Sequence, residues 1–251
     1  MIMVDQAATA TAAATTTTSR DRRMLATVLV MAAVGVASLG FAPLEQALPA
    51  GVRVPRAALL LQPAILAFAF ALAGWWAAPR AGLHLAVVET ALAGGDIRAP
   101  LRALAVPTLL VGVAGAAILL AYGHLTAQAF AEVPTPAMPL VTRLLYGGVA
   151  EEILARWGVL SLVMVGAMKL GIGNNRSFWI ANALAALLFG AGHFGLLFTL
   201  MPHPPAWLIT AVLIGNAAPA LGFGWLYRQH GPESAILAHG TTHLLAILLT
   251  A

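Results

Sequence analysis

The chain has 251 residues, 61% of them hydrophobic and only 9% charged, and its mean hydropathy is +0.89. Soluble globular domains are about a quarter charged, so this composition excludes an ordinary soluble enzyme and indicates a polytopic helical membrane protein. A formal charge of +4 would suggest nucleic acid in a soluble protein, but here the basic residues stand at the ends of apolar runs and read as topology signals, so no nucleic-acid partner is expected.

Residues 1–19 are almost entirely Ala and Thr, a low-complexity stretch that cannot bury a core; it reads as the body of a disordered cytoplasmic tail over 1–23. Arg20, Arg22 and Arg23 then precede an apolar run over 24–42, which is long for a signal peptide and reads as an uncleaved first span. A second span is expected over 57–78, with Trp75 and Trp76 as interfacial anchors. Residues 81–102 mix His84, Glu89, Asp96, Arg98 and Arg102 with apolar positions, so this stretch reads as an interfacial element, and 103–122 is the third span.

After a loop without Lys or Arg, a fourth apolar run covers 141–170, longer than the ~20 residues needed to cross a bilayer. Spans over 177–200, 206–227 and 233–251 complete the chain. The fold class is therefore an all-α polytopic bundle of about seven to eight transmembrane helices, with residues 24–251 forming one membrane domain in contact with lipid. Arg20 to Arg23, Arg80 to Arg102, Lys169 to Arg176 and Arg228 fall on one face of it. By the positive-inside rule that face is cytoplasmic, which puts the N-terminus in the cytoplasm and the protein in a bacterial-type inner or plasma membrane.

The polar residues inside these runs need a reason, because a charge at mid-membrane costs about 2.5 to 3.5 kcal/mol on an insertion scale. Glu151, Glu152 and Arg156 lie within the fourth run, and residues four apart share a helix face, so Glu152 is placed to pair with Arg156 while Glu151 has no partner in its helix. Phe189 and His193 repeat that spacing in the fifth run, and His239 and His243 repeat it in the last. Three spans that each bring ionisable groups to mid-depth favour a site over packing. A carboxylate with imidazoles can bind a metal, with Glu151, His193 and His239 as the candidate ligands and zinc as the ion, or it can activate a water directly; the other imidazoles would then donate to an oxyanion. With no cysteine there is no thiolate zinc site and no cysteine nucleophile. The soluble zinc-protease helix His-Glu-x-x-His, a Gly-x-Ser-x-Gly elbow and a Walker loop are absent too.

Glu151-Glu152-x-x-x-Arg156, Phe189-x-x-x-His193 and His239-x-x-x-His243, in that order on separate spans, resemble the CAAX prenyl protease type 2 and bacteriocin-processing (CPBP or Abi) intramembrane proteases over about residues 140–250. The resemblance implies an endopeptidase acting on membrane-associated peptides or proteins, some of them cleaved near a prenylated C-terminal cysteine, without a cofactor. It also implies that Glu151 and His193 activate water and that His239 and residue 243 stabilise the oxyanion, with Glu152, Arg156 and Phe189 in support. This chain has His243 where the family usually has Asn or a similar small polar residue. Two other classes use the same residue types: an ion- or proton-coupled transporter with Glu and His as a relay, and a catalytically silent immunity or scaffold member of the family.

Overall fold

A computed structural model describes residues 3–48 and 51–250, and the side-chain surroundings of 21–46, 48 and 51–250. Among the described residues, three short 3-10 turns aside, nine helices follow one another: α1 (Met3–Ser38), α2 (Arg56–Ala77), the short α3 (Ala86–Leu92), α4 (Arg98–Phe130), α5 (140–169), α6 (Asn174–Gly192), α7 (Phe194–Leu200), α8 (Ala206–His230) and α9 (Pro232–Thr250). The described residues contain no strand. This is the architecture an apolar chain must adopt in lipid, where each backbone polar group has to be satisfied within its own segment.

Among the described residues, five segments are long and apolar enough to cross a membrane: Asp21–Phe41, Arg56–Ala77, Arg98–Phe130, Asn174–Leu200 and Ala206–His230. The protein is an integral membrane protein. The two remaining long helices, α5 and α9, carry Glu151, Glu152, Arg156, His239 and His243, and those residues lower their apolarity.

Three expectations change. The stretch over 81–102 is not one interfacial element: α3 ends at Leu92, a turn follows, and Arg98 and Arg102 already belong to α4, which is longer than the span expected at 103–122. The backbone of α1 is helical from Met3, so the Ala- and Thr-rich stretch continues the first helix where a disordered tail is expected; Ala is the strongest helix former, and a helix begun in the membrane propagates at little cost. Finally, α5 is not a regular α-helix, as described below.

The bundle is built around α5. Its buried Trp157 donates from Nε1 to the Ala71 carbonyl of α2 at 3.0 Å, and a Cβ on Gly74 would collide with that indole, so α2 reaches α5 through small residues. Thr142 donates to the Ser38 carbonyl at 2.8 Å and ties α1 to the start of α5. On the far side α4 and α9 are joined by Thr242, whose hydroxyl donates to the Gly112 carbonyl at 3.1 Å. The Asn182 amide donates to the Leu221 carbonyl at 3.1 Å and links α6 to α8. These contacts bring Glu152, Phe189, Phe223 and His239 together from four helices.

Candidate active site

In α5, residues Leu140–Thr142 and Ser161–Lys169 are α-helical, but Arg143–Ala150 and Ile153–Leu160 wind as π-helix on either side of Glu151-Glu152. Gly147-Gly148 lies in the first wide segment and offers little intrinsic support to a tight α turn. π turns are rare and cluster at functional sites. In this winding, residues five apart fall close to one face, so Tyr146 and Glu151 line the same cavity, which α periodicity would not predict.

Glu152 is buried, and its Oε1 lies 3.0 Å from Arg156 Nη1 and 2.8 Å from His239 Nδ1. The arginine contact is an ion pair off the hydrogen-bond axis: Nη1 has no aligned acceptor, whereas Nη2 donates to the Ala220 carbonyl of α8 at 3.0 Å. The guanidinium lies over the rings of Phe189 and Phe223, at 4.9 and 5.4 Å, so Arg156 is held by a carboxylate, a carbonyl and two aromatic faces. The expected pairing of Glu152 with Arg156 is present, and His239 joins it from 87 residues away.

Glu151 points elsewhere. It lines a cavity of about 380 Å³ together with Gln62, Leu66, Tyr146, Phe189 and His193. It is also within electrostatic reach of His193 and His239. His193 sits at a break: α6 ends at Gly192 and α7 starts at Phe194, so the fifth expected span is two helices joined at this histidine. Its Nδ1 is 2.9 Å from the Phe189 carbonyl. A carbonyl can only accept, so Nδ1 carries the proton, and in the neutral imidazole Nε2 is the free base. The Phe189 ring stands edge-on to His193 at 5.1 Å and to His239 at 5.9 Å, which places it between the two.

His239 and His243 stack with ring centroids 4.9 Å apart, and Phe223 covers the other face of His239 at 4.9 Å. Neither histidine lines the Glu151 cavity. Their Nε2 atoms meet at Gly147, where a Cβ would stand 3.2 Å from that of His243 and 4.0 Å from that of His239. His243 Nδ1 is buried without a hydrogen-bond partner. A buried lone pair is tolerated better than a buried orphan N–H, so the neutral ring carries its proton on Nε2, toward Gly147.

Glu151 and His193 thus share one cavity, and His239 and His243 face Gly147, one turn before Glu151 on α5. Sequence reasoning does not find Tyr146, Gly147 or Phe223. Tyr146 and Gly147 need the π winding to be placed, and Phe223 carries no signal beyond being one aromatic in an apolar run.

Residues 133–245 match the family model of the type II CAAX prenyl endopeptidase Rce1-like proteins. That stretch is similar to an Rce1-like domain. It extends from the loop before α5 into the last turns of α9 and contains every residue of the cluster just described except Gln62 and Leu66 of α2. No curated protein and no solved structure matches the chain. The family is the one that the three motifs resemble. Among the described residues, no group of three His, Cys, Asp or Glu side chains is placed to hold a metal ion.

Proposed function

We propose that the protein is a glutamate-dependent intramembrane endopeptidase in which Glu151 and His193 activate a water for attack on a peptide carbonyl. The observation that carries this reading is the division of labour between adjacent carboxylates. Glu152 is committed to Arg156 and His239, while Glu151 faces a cavity shared with His193.

Water bound between the Glu151 carboxylate and His193 Nε2 loses a proton to Glu151 as its oxygen bonds to the carbonyl carbon. The carbonyl becomes a tetrahedral oxyanion. His243 donates to it through Nε2–H, and His239 does so as an imidazolium with the Glu152 carboxylate as its counter-charge. The intermediate collapses as the C–N bond breaks, and the proton held by Glu151 passes to the departing amine. The products are a carboxylic acid and an amine, with no redox change. No step uses a metal. The substrate is a membrane-associated polypeptide, prenylated C-termini among the candidates, and the protein lies in a bacterial-type inner membrane with a cytoplasmic N-terminus.

Purified Glu151→Gln, compared with the parent protein on a cleavable membrane peptide, tests this. Loss of a general base lowers rates by about 10²–10⁴-fold, so the variant should keep its thermal unfolding profile and lose at least ~10² in rate. Full activity in Glu151→Gln would remove the assignment.

A further inference from the structure

Among the described residues, four polar side chains line the Glu151–His193 cavity: Gln62 from α2, Tyr146 and Glu151 from α5, and His193 at the break between α6 and α7. The rest of the wall is apolar side chains and Gly192. Glu151 and His193 are assigned to the water, which leaves a carboxamide and a phenol without a role. Neither makes a hydrogen bond to another group among the described residues. Comparable groups elsewhere in the bundle are paired. Asn182 donates to the Leu221 carbonyl at 3.1 Å, Asn216 to the Val212 carbonyl at 2.8 Å, and the Tyr227 hydroxyl lies 2.8 Å from Ser161 Oγ.

Both groups are placed at some cost. Gln62 is the one polar side chain in the α2 run from Ala57 to Gly74, and an amide in an apolar span is unfavourable unless something pairs with it. Tyr146 reaches the cavity only because α5 winds as π-helix there. Gln62 also lies outside the stretch 133–245, so α2 completes the cavity from beyond the family-like part of the chain. A peptide drawn into such a cavity leaves its water behind, and its backbone N–H and C=O groups then need partners. A carboxamide offers an acceptor and a donor, the complement of a peptide unit, and a phenol donates to a carbonyl. Apolar walls with a few placed polar groups are the usual means of fixing a ligand's orientation.

We propose that Gln62 and Tyr146 clamp the backbone of the substrate. The Gln62 carboxamide accepts from a substrate N–H and donates to a neighbouring carbonyl, and the Tyr146 hydroxyl donates to a further carbonyl, so that the scissile unit is held before Glu151 and His193. Such contacts read the main chain and are tolerant of side-chain sequence. They select an extended segment over a helical one, whose N–H and C=O groups already pair with each other. The inference rests on the proteolytic reading for the word substrate, and on the two unpaired polar groups for the place of the clamp.

The probe is a fluorescent peptide with a prenylated cysteine near its C-terminus. Its Kd is measured in detergent in a Glu151→Gln background, where binding is read without turnover, and its KM and kcat with Glu151 present. Gln62→Leu and Tyr146→Phe remove no hydrogen bond within the described protein, so both should unfold at the parent temperature. Loss of one neutral hydrogen bond weakens affinity by about 2- to 12-fold, and each variant should raise Kd and KM by about that factor. kcat should stay within ~3-fold of the parent, as expected when binding common to ground and transition states is lost. Replacing the peptide's amides by esters one at a time removes single N–H donors. At one position the ester should weaken binding to Gln62 protein and have no further effect in Gln62→Leu. Parent-like Kd in either variant, an ester penalty that persists in Gln62→Leu, or absence of binding with both groups in place would each overturn the clamp. Unchanged cleavage in Glu151→Gln overturns the proteolytic assignment alone and leaves the Kd values standing.

Discussion

Glu152 Oε1 is shared by two cationic or cation-forming side chains from different helices, Arg156 at 3.0 Å and His239 at 2.8 Å. One oxygen thereby joins the middle of α5 to α9. Removing one partner of a buried ion pair costs about 3–5 kcal/mol, because the remaining charge is left in an apolar interior. Glu152→Gln should therefore lower thermal stability in detergent strongly, unlike Glu151→Gln one residue earlier. Arg156→Lys should be destabilised nearly as much as Arg156→Ala, since an ammonium cannot reproduce contact with two rings and a carbonyl. Parent-like unfolding of Glu152→Gln would show that the pair is not a structural tie.

Gly147 separates stability from activity. Ala is the better helix former by ~1 kcal/mol, so Gly147→Ala should leave the unfolding temperature unchanged or slightly raised. Its methyl group would occupy the space faced by both histidine Nε2 atoms, 3.2 Å from that of His243. On the proposed mechanism cleavage should drop by ~10-fold or more, read as kcat of the folded variant. An undiminished rate would place the oxyanion elsewhere.

His243 supplies Nε2–H in the proposed site, and the amide of Asn can do the same at any ordinary pH. His243→Asn should retain cleavage to within about tenfold, whereas His243→Ala should lose ~10²-fold, the usual scale for an oxyanion donor. An inactive Asn variant beside a fully active Ala variant would make position 243 a packing site.

Metal independence has a direct assay. After exhaustive chelation and elemental analysis, the enzyme should keep its rate. Activity that is lost on stripping and returns with zinc would require a ligand set that the described side chains do not form in this arrangement.

Much of this organisation is legible in the sequence because helix periodicity is local. The apolar runs mark the long helices, and four-residue spacing places Glu152 beside Arg156 and Phe189 beside His193. Contacts between distant segments are not written in any spacing. The Glu152–His239 hydrogen bond spans 87 residues, and Phe223 reaches the histidines only through the packing of α8 on α6 and α9. Tyr146 escapes notice for a different reason: its shared face with Glu151 exists only in π winding, and α periodicity turns it away. The break at His193 is likewise silent, since the run over 177–200 is apolar throughout apart from that residue and a few small ones.

The order of synthesis gives the Glu152–His239 bond a further meaning. Glu151 and Glu152 leave the ribosome with α5, whereas His239 and His243 arrive only with α9, after α6, α7 and α8 have been made. Until α9 docks, Glu152 lacks its imidazole partner and the space at Gly147 has no donors. On the proposed mechanism a nascent chain is inserted with its hydrolytic site unassembled, a chain cut short before α9 is inert, and assembly of the bundle is the activation step.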